Sequence, residues 1–216
     1  MEQVKEPKTL LIENTLEQFA DILASEIPAP GGGSVAALNG TLAAALVKMA
    51  CTLTLAKEKY REFHAEMREI AAAAGEEQKK LLAGIDEDTE AYNRVSAVFS
   101  MPKETPEQKA SRSEAMQAAL KGATEAPLAT MKAAHKCLEL AGKAIGKTNP
   151  SCASDFGSGI VCALASVRCA WLNVKINLSS VKDGDFAEKT LSEAREILNH
   201  SEELAGNLFG RIERGI

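Results

Sequence analysis

PAPGGGSVAALNGTLAAALVKM, residues 28–49, contains the turn and the helix from which the rest of the chain can be read. Pro28 and Pro30 stiffen the approach, and Gly31, Gly32 and Gly33 permit backbone angles closed to other residues. Ser34 is placed to cap the first exposed N–H groups of the alanine-rich helix behind it. At such an entrance, bare amides and the positive end of the helix dipole point outward, which suits an anionic or electron-rich ligand. The same residues also serve a tight loop that does no more than cap a helix, so the turn alone leaves both readings open.

Composition narrows the class. The chain has 216 residues, enough for one largish domain with a proper core. Hydrophobic residues make up 45% but aromatics only 4%, so the core must be built from Ala, Leu, Ile and Val, and small side chains imply closely approaching helices. A net charge of -5 without a basic concentration argues against nucleic acid as a partner. Five cysteines (Cys51, Cys137, Cys152, Cys162 and Cys169) include no C-x-x-C pair, which argues against a disulfide framework or a zinc site. The charged start, residues 1–9, lacks the apolar run of a signal peptide, so a reducing, cytoplasmic setting is expected. Residues 35–56 are long and apolar enough to raise the question of a membrane span. Asn39, Thr41, Lys48, Thr52 and Thr54 within that run point instead to a core helix, and no membrane partner is expected.

Helical signals run from end to end. Thr15 and Gln18 form a capping box ahead of a first helix ending near Ser25. The second helix starts at Ser34 and runs into the high fifties. A third, from His64 to Phe99, carries Met67, Ile70, Leu81, Leu82, Ile85 and Val98, is weakened by Gly75 and Gly84, and is stopped by Pro102. Pro106 opens a fourth in the favoured first turn, with Pro127 as its kink. Residues 146–154 form a loop. Asp155 then opens a fifth helix through Val161, Leu164, Val167, Trp171 and Ile176, and a sixth runs from Asp185 to Ile212. The expected fold is all-α, a single-domain bundle of about six helices over residues 1–216, several of them long or kinked.

Polar residues set into these helices are the candidate chemistry. Asp88 and Tyr92 share one helical face as carboxylate and phenol, although Glu87 and Glu90 beside them also fit a solvated acidic patch. Asn173 and Asn177 share another face among Val174, Ile176 and Leu178, where buried amides need partners: each other, a neighbouring helix or a ligand. Asp155 either caps its own helix or faces a cavity. It lies about 27 Å along one helix from Asn173, too far for both to touch one small atom. His64, His135 and His200 lack a metal-ligand rhythm and are expected at the surface, so no metal is expected.

Taken together, the motif of residues 28–49, DTEAYNRV at 88–95, NPSCASDFGSGI at 149–160 and LNVKINL at 172–178 resemble the cyclodeaminase/cyclohydrolase family. That family comprises formiminotetrahydrofolate cyclodeaminases and methenyltetrahydrofolate cyclohydrolases. The resemblance covers nearly the whole chain in the same order. It implies an all-helical homodimer that binds a reduced folate and needs no cofactor beyond the tetrahydrofolate substrate. It further implies a folate cleft lined by Gly31, Gly32, Gly33 and Ser34 with Asp88 and Asp155. Asn39, Lys48, Asn173 and Asn177 join the turn as substrate-binding candidates.

Chemistry gives these residues reasons to exist. Methenyltetrahydrofolate carries a delocalised positive charge across its N5–C–N10 bridge, and water must add to that carbon before the ring opens to the 10-formyl compound. A carboxylate stabilises the cation and takes a proton from water. Asp88 or Asp155 is the candidate base, with Tyr92 as a relay. In a cyclodeaminase, N10 attacks the formimino carbon and ammonia leaves through a similar tetrahedral centre. The anionic benzoyl-glutamate tail would be received at the helix entrance by Ser34 or by Lys48. The rival from another class is a helical dimer that binds folate without turning it over.

Overall fold

The computed structural model describes residues 10–215, so the charged start at residues 1–9 lies outside the described residues. Among the described residues there are six α-helices: α1 (Leu16–Leu23), α2 (Gly32–Leu55), α3 (His64–Phe99), α4 (Pro106–Ala144), α5 (Ala153–Leu178) and α6 (Gly184–Glu213). Short 3-10 turns precede α1 (Leu11–Glu13) and link α2 to α3 (Glu58–Phe63) and α4 to α5 (Pro150–Cys152), and no strand occurs among the described residues.

Local chemistry sets most boundaries. Thr15 and Gln18 close the expected capping box on α1, and Thr105 with Gln108 forms a second one on α4, with Pro106 in the first turn. Asp183 caps α6 by accepting the Phe186 amide, so this helix begins one residue before Asp185. The fifth helix begins at Ala153 because the Pro150–Cys152 turn feeds into it directly, which leaves Asp155 in the first turn rather than at the opening. The loop before it reverses at Gly146, whose φ of 82° favours glycine.

Helix α2 lies at the centre of the bundle and packs mainly on α3 and α5. Its buried face reads Ala36, Ala37, Gly40, Ala43, Ala44, Val47, Ala50 and Cys51, small side chains that let neighbouring backbones come close. A Cβ added at Gly40 would lie 2.6 Å from Leu81 Cδ2 and 2.9 Å from Ser166 Oγ. One at Gly159 of α5 would lie 3.1 Å from Leu46 Cβ. Ser166 Oγ donates to the Ala36 carbonyl oxygen at 2.6 Å, which ties α5 to α2. Two core clusters result, one around Met67, Leu138 and Phe156 and the other around Met131, Val167 and Val174. In α3, Met67, Ile70, Leu81, Ile85 and Val98 are buried as expected, but Leu82 is exposed because it turns off the buried face.

Pro127 lies within α4, which continues through it. A proline has no N–H for the carbonyl four residues before it, here that of Ala123. Asn177 of α5 supplies the missing donor, its Nδ2 donating to the Ala123 carbonyl oxygen at 2.6 Å. By length and composition Gly32–Leu55 and Pro150–Leu178 would both span a bilayer, yet α2 spends this apolar character on contacts with α3, α4 and α5.

Gly40→Val should lower stability by about 2 kcal/mol or more, because an overpacked, β-branched residue must displace the buried Leu81. Urea denaturation checks this, and an unchanged midpoint would show that α2 and α3 are less tightly opposed than described here.

Candidate active site

The turn at residues 28–34 reaches α2 differently from the sequence expectation. The helix begins at Gly32 with Gly31 as N-cap, which offers no side-chain cap, and Ser34 is already inside the helix. None of the three glycines has a positive φ. Their small size matters instead. A Cβ on Gly33 would overlap the Asp88 carboxylate, and one on Gly32 would come 3.2 Å from Asn173 Nδ2. Asp88, from α3, therefore sits against the bare first turn of α2 and does from another helix what an N-cap side chain does from its own. The buried Ser34 hydroxyl shares its proton between the Ile85 carbonyl oxygen at 2.9 Å and Asp88 Oδ2 at 3.1 Å. Thr89 Oγ1 lies 3.3 Å from the same hydroxyl.

Electrostatics at this carboxylate pull two ways. Burial pushes the Asp88 carboxyl above the usual range, and the Ser34 hydroxyl and amide draw it partly back. The group is half-buried and reaches a cleft of about 290 Å³. That volume is near the lower end for small-molecule sites. Pro28, Ala29, Gly31 and Gly32 form one wall, Asp88 and Tyr92 a second, and Asn173 and Asn177 a third. Ala91, Val95, Leu120 and Ala123 supply apolar surface between them.

The structure thus brings together Asp88, Tyr92, Gly31, Gly32, Asn173 and Asn177, with Gly33 and Ser34 directly behind Asp88. Asn173 Nδ2 donates to the Cys169 carbonyl oxygen at 2.9 Å within its own helix, and Asn177 is engaged by Ala123. The stripe they occupy is only half-buried, since Ile176 between them is exposed.

Three candidates lie elsewhere. Asp155 is exposed in the first turn of α5. The adjoining Asn149 amide donates to Thr54 Oγ1 at 2.8 Å, which fixes this corner beside the C-terminal end of α2. Gly33 is at the other end of that helix, about 30 Å away by helical rise, so Asp155 does not join Asp88 in this cleft. Lys48 is exposed against Gly75 on α3, its Nζ 3.4 Å from where a Cβ of that glycine would stand, about 20 Å along α2 from the turn. Asn39 is spent on its own helix, its Nδ2 donating to the Val35 carbonyl oxygen at 3.0 Å. His135 also departs from expectation: it is half-buried, with Nδ1 2.8 Å from Ser201 Oγ, because α4 and α6 meet there. Val95, Leu120 and Ala123 were missed as cleft residues. Val95 follows Asp88 and Tyr92 at helical spacing, a usable signal, whereas nothing in α4 announces which of its faces meets α5.

The family model described as formiminotransferase-cyclodeaminase matches residues 15–196. Methenyltetrahydrofolate cyclohydrolase of Methylorubrum extorquens is 37% identical over 199 residues, a match covering 92% of this chain and 96% of that protein. Formimidoyltransferase-cyclodeaminase of Dictyostelium discoideum is 34% identical over 193 residues, covering 89% of this chain and 35% of the relative. The chicken protein of the same name is 28% identical over 204 residues, and 38% of its length is matched. The crystal structure of formiminotetrahydrofolate cyclodeaminase from Thermotoga maritima superposes with a TM-score of 0.79 at 26% identity, covering 94% of this chain and 95% of that one. With a family model spanning all six helices up to the middle of the last, and relatives matched over nearly its full length, the chain belongs to the formiminotransferase-cyclodeaminase family.

Proposed function

We propose that this chain is a methenyltetrahydrofolate cyclohydrolase of one-carbon metabolism, interconverting 5,10-methenyltetrahydrofolate and 10-formyltetrahydrofolate, with Asp88 as the group that activates water. The observation that carries the reading is a half-buried carboxylate at the wall of a small cleft, fixed against the first turn of α2, in a chain that matches a cyclohydrolase over 96% of that protein's length. The substrate's amidinium bridge is a cation, so an ionised Asp88 stabilises it by charge and orients water towards its carbon. As the water oxygen bonds to that carbon, one water proton passes to Asp88. The N5–C bond then breaks as the new hydroxyl closes to the formyl carbonyl, the second water proton passes from that hydroxyl to N5, and Asp88 releases the first to solvent. Tyr92, one turn further along the same face, is the relay for that release. Because the substrate is already electrophilic, the reaction needs no metal or nucleotide.

A second reading is formiminotetrahydrofolate cyclodeamination, favoured by the fold match to the Thermotoga enzyme. There a protonated Asp88, helped by its raised pKa, donates to departing ammonia. Adding the protein to 5,10-methenyltetrahydrofolate and following the methenyl absorbance separates the cases. Loss above the buffer rate supports the cyclohydrolase. Gain from the formimino substrate with ammonia release supports the cyclodeaminase, and binding without either change leaves a folate carrier.

The sign of the pH dependence follows from burial. A raised carboxyl pKa means that the folded chain holds the proton more tightly than the unfolded chain. The stability it contributes is therefore present at low pH and lost as pH rises through the folded value. Catalysis as a base runs the other way and needs the ionised form. The kcat/KM profile should fall on its acid side at a pH above the usual aspartate range. Asp88→Asn should fold, lose about 10²- to 10⁴-fold in turnover and lose that limb, while Asp155→Asn keeps wild-type turnover. Equal losses in the two variants would remove Asp88 from its assigned role.

The same reading includes a homodimer. Helix α5 exposes Val161 at 51%, Leu172 at 64% and Ile176 at 69%, and neighbouring α2 exposes Leu42 at 48%, an apolar face that a second copy would cover. Sedimentation equilibrium should give twice the chain mass, and Leu172→Glu combined with Ile176→Glu should give a monomer. A monomeric wild-type protein at micromolar concentration would overturn this part.

A further inference from the structure

By its sequence Ser34 is a helix cap or a receiver of the substrate's anionic tail, and the structure allows neither. It lies inside α2 with none of its surface exposed and its hydroxyl turned to α3. A fully buried hydroxyl must spend its proton within the protein. Thr41, Thr54, Thr124 and Ser201 do so on the carbonyl four residues back in their own helices. Ser166 reaches across to another helix, where the Ala36 carbonyl oxygen accepts it at 2.6 Å. Ser34 also reaches across, but it meets two acceptors at nearly equal distance, the Ile85 carbonyl oxygen at 2.9 Å and Asp88 Oδ2 at 3.1 Å.

One proton cannot serve both acceptors at full strength, and the charge of Asp88 decides between them. An ionised carboxylate is the stronger acceptor, since a hydrogen bond to a charged group is about twice as strong as a neutral one. A neutral carboxyl loses that advantage, and the proton returns to Ile85. Rotation about the Cβ–Oγ bond makes the exchange without moving a heavy atom, and with Ser34 closed to solvent no water competes for it. Thr89 Oγ1, 3.3 Å from the Ser34 oxygen, supplies a second hydroxyl on the same network.

The other walls bring no charge to Asp88. The α2 entrance offers glycines, α4 offers Leu120 and Ala123, and α5 offers the amides of Asn173 and Asn177, so Tyr92 is the other titratable group among the lining residues. Further out, Asp86 is held on the Leu11 and Ile12 amides, Glu87 and Glu90 are exposed, Lys121 of α4 is paired with Asp183, and Lys175 of α5 lies over the Trp171 ring. We propose that Ser34 is the positioning residue of this site, its hydroxyl turning to Asp88 while the carboxylate is charged and back to the Ile85 carbonyl once Asp88 has taken the proton from water. The water proton passes to a carboxylate oxygen and the Ser34 proton never leaves Oγ, so Ser34 holds the base in place in both of its states and changes no charge of its own. This deepens the cyclohydrolase reading above and rests on it.

Ser34→Ala removes the hydroxyl and keeps the backbone amide, which still favours the carboxylate. The acid limb of kcat/KM should move to higher pH by about one unit or more, the scale of a hydrogen bond to a charged group, while turnover above the limb falls by less than about tenfold. Ser34→Cys, whose thiol is a weak donor, should lie between serine and alanine. Carbon-13 NMR of the Asp88 carboxyl, assigned by its loss in Asp88→Asn, should give the same order without substrate, with circular dichroism to establish folding. A folded Ser34→Ala protein that keeps the wild-type limb and carboxyl titration, with turnover lowered equally at every pH, makes Ser34 a structural tie and overturns the assignment while the cyclohydrolase reading stands. If the wild type does not turn over 5,10-methenyltetrahydrofolate, the cyclohydrolase reading falls and the catalytic assignment of Ser34 falls with it.

Discussion

The site depends on the contact between the Asp88 carboxylate of α3 and the glycine backbone that opens α2. A helix start leaves N–H groups without intrahelical partners, and Gly31 brings no side chain to satisfy them. The carboxylate arrives from α3 instead, at a distance only glycine at position 33 allows. The α2 terminus thereby gains its negative charge, and the carboxylate gains a fixed position against positive partial charge. Burial opposes ionisation there and outweighs the Ser34 hydroxyl and amide, which favour it, so the carboxyl holds its proton more tightly than a free aspartate does.

That contact requires α2 and α3 to lie close together along their length, and the small residues of α2 make this possible. Gly40 faces Leu81 and Ser166, while Ala43 and Leu46 meet Gly159 from the other side. The remaining wall is set by a repair. Pro127 leaves the Ala123 carbonyl without its helical donor, and Asn177 answers it from α5. This bond draws α4 and α5 together at the level where Asn173 faces Gly32, so one missing backbone hydrogen bond in α4 helps define the width of the cleft.

Helix identity was legible from residues 15–213 because capping signals, prolines and apolar periodicity are local properties. The Thr15–Gln18 box, Pro102, Pro106 and the break at Gly146 all act within a turn of where they stand. The role of the glycines was not legible. Their conformational freedom can be read from sequence, whereas closeness to Asp88 depends on how α3 docks, and no positive φ is used. Asp88, Tyr92, Asn173 and Asn177 were singled out by spacing on their own helices, and the fold then places them together. Asp155 and Lys48 were drawn in by motif and charge. The antiparallel run of the helices separates them, since α2 alone carries its two ends about 36 Å apart.

The most direct test of this account is turnover of 5,10-methenyltetrahydrofolate by Gly33→Ala, with circular dichroism to establish that the bundle is intact. A single methyl group at this position must push the Asp88 carboxylate off the α2 terminus. The account predicts a folded protein with turnover reduced by about 10²-fold or more, on the scale of a misplaced catalytic group. A folded Gly33→Ala protein with wild-type turnover would contradict it.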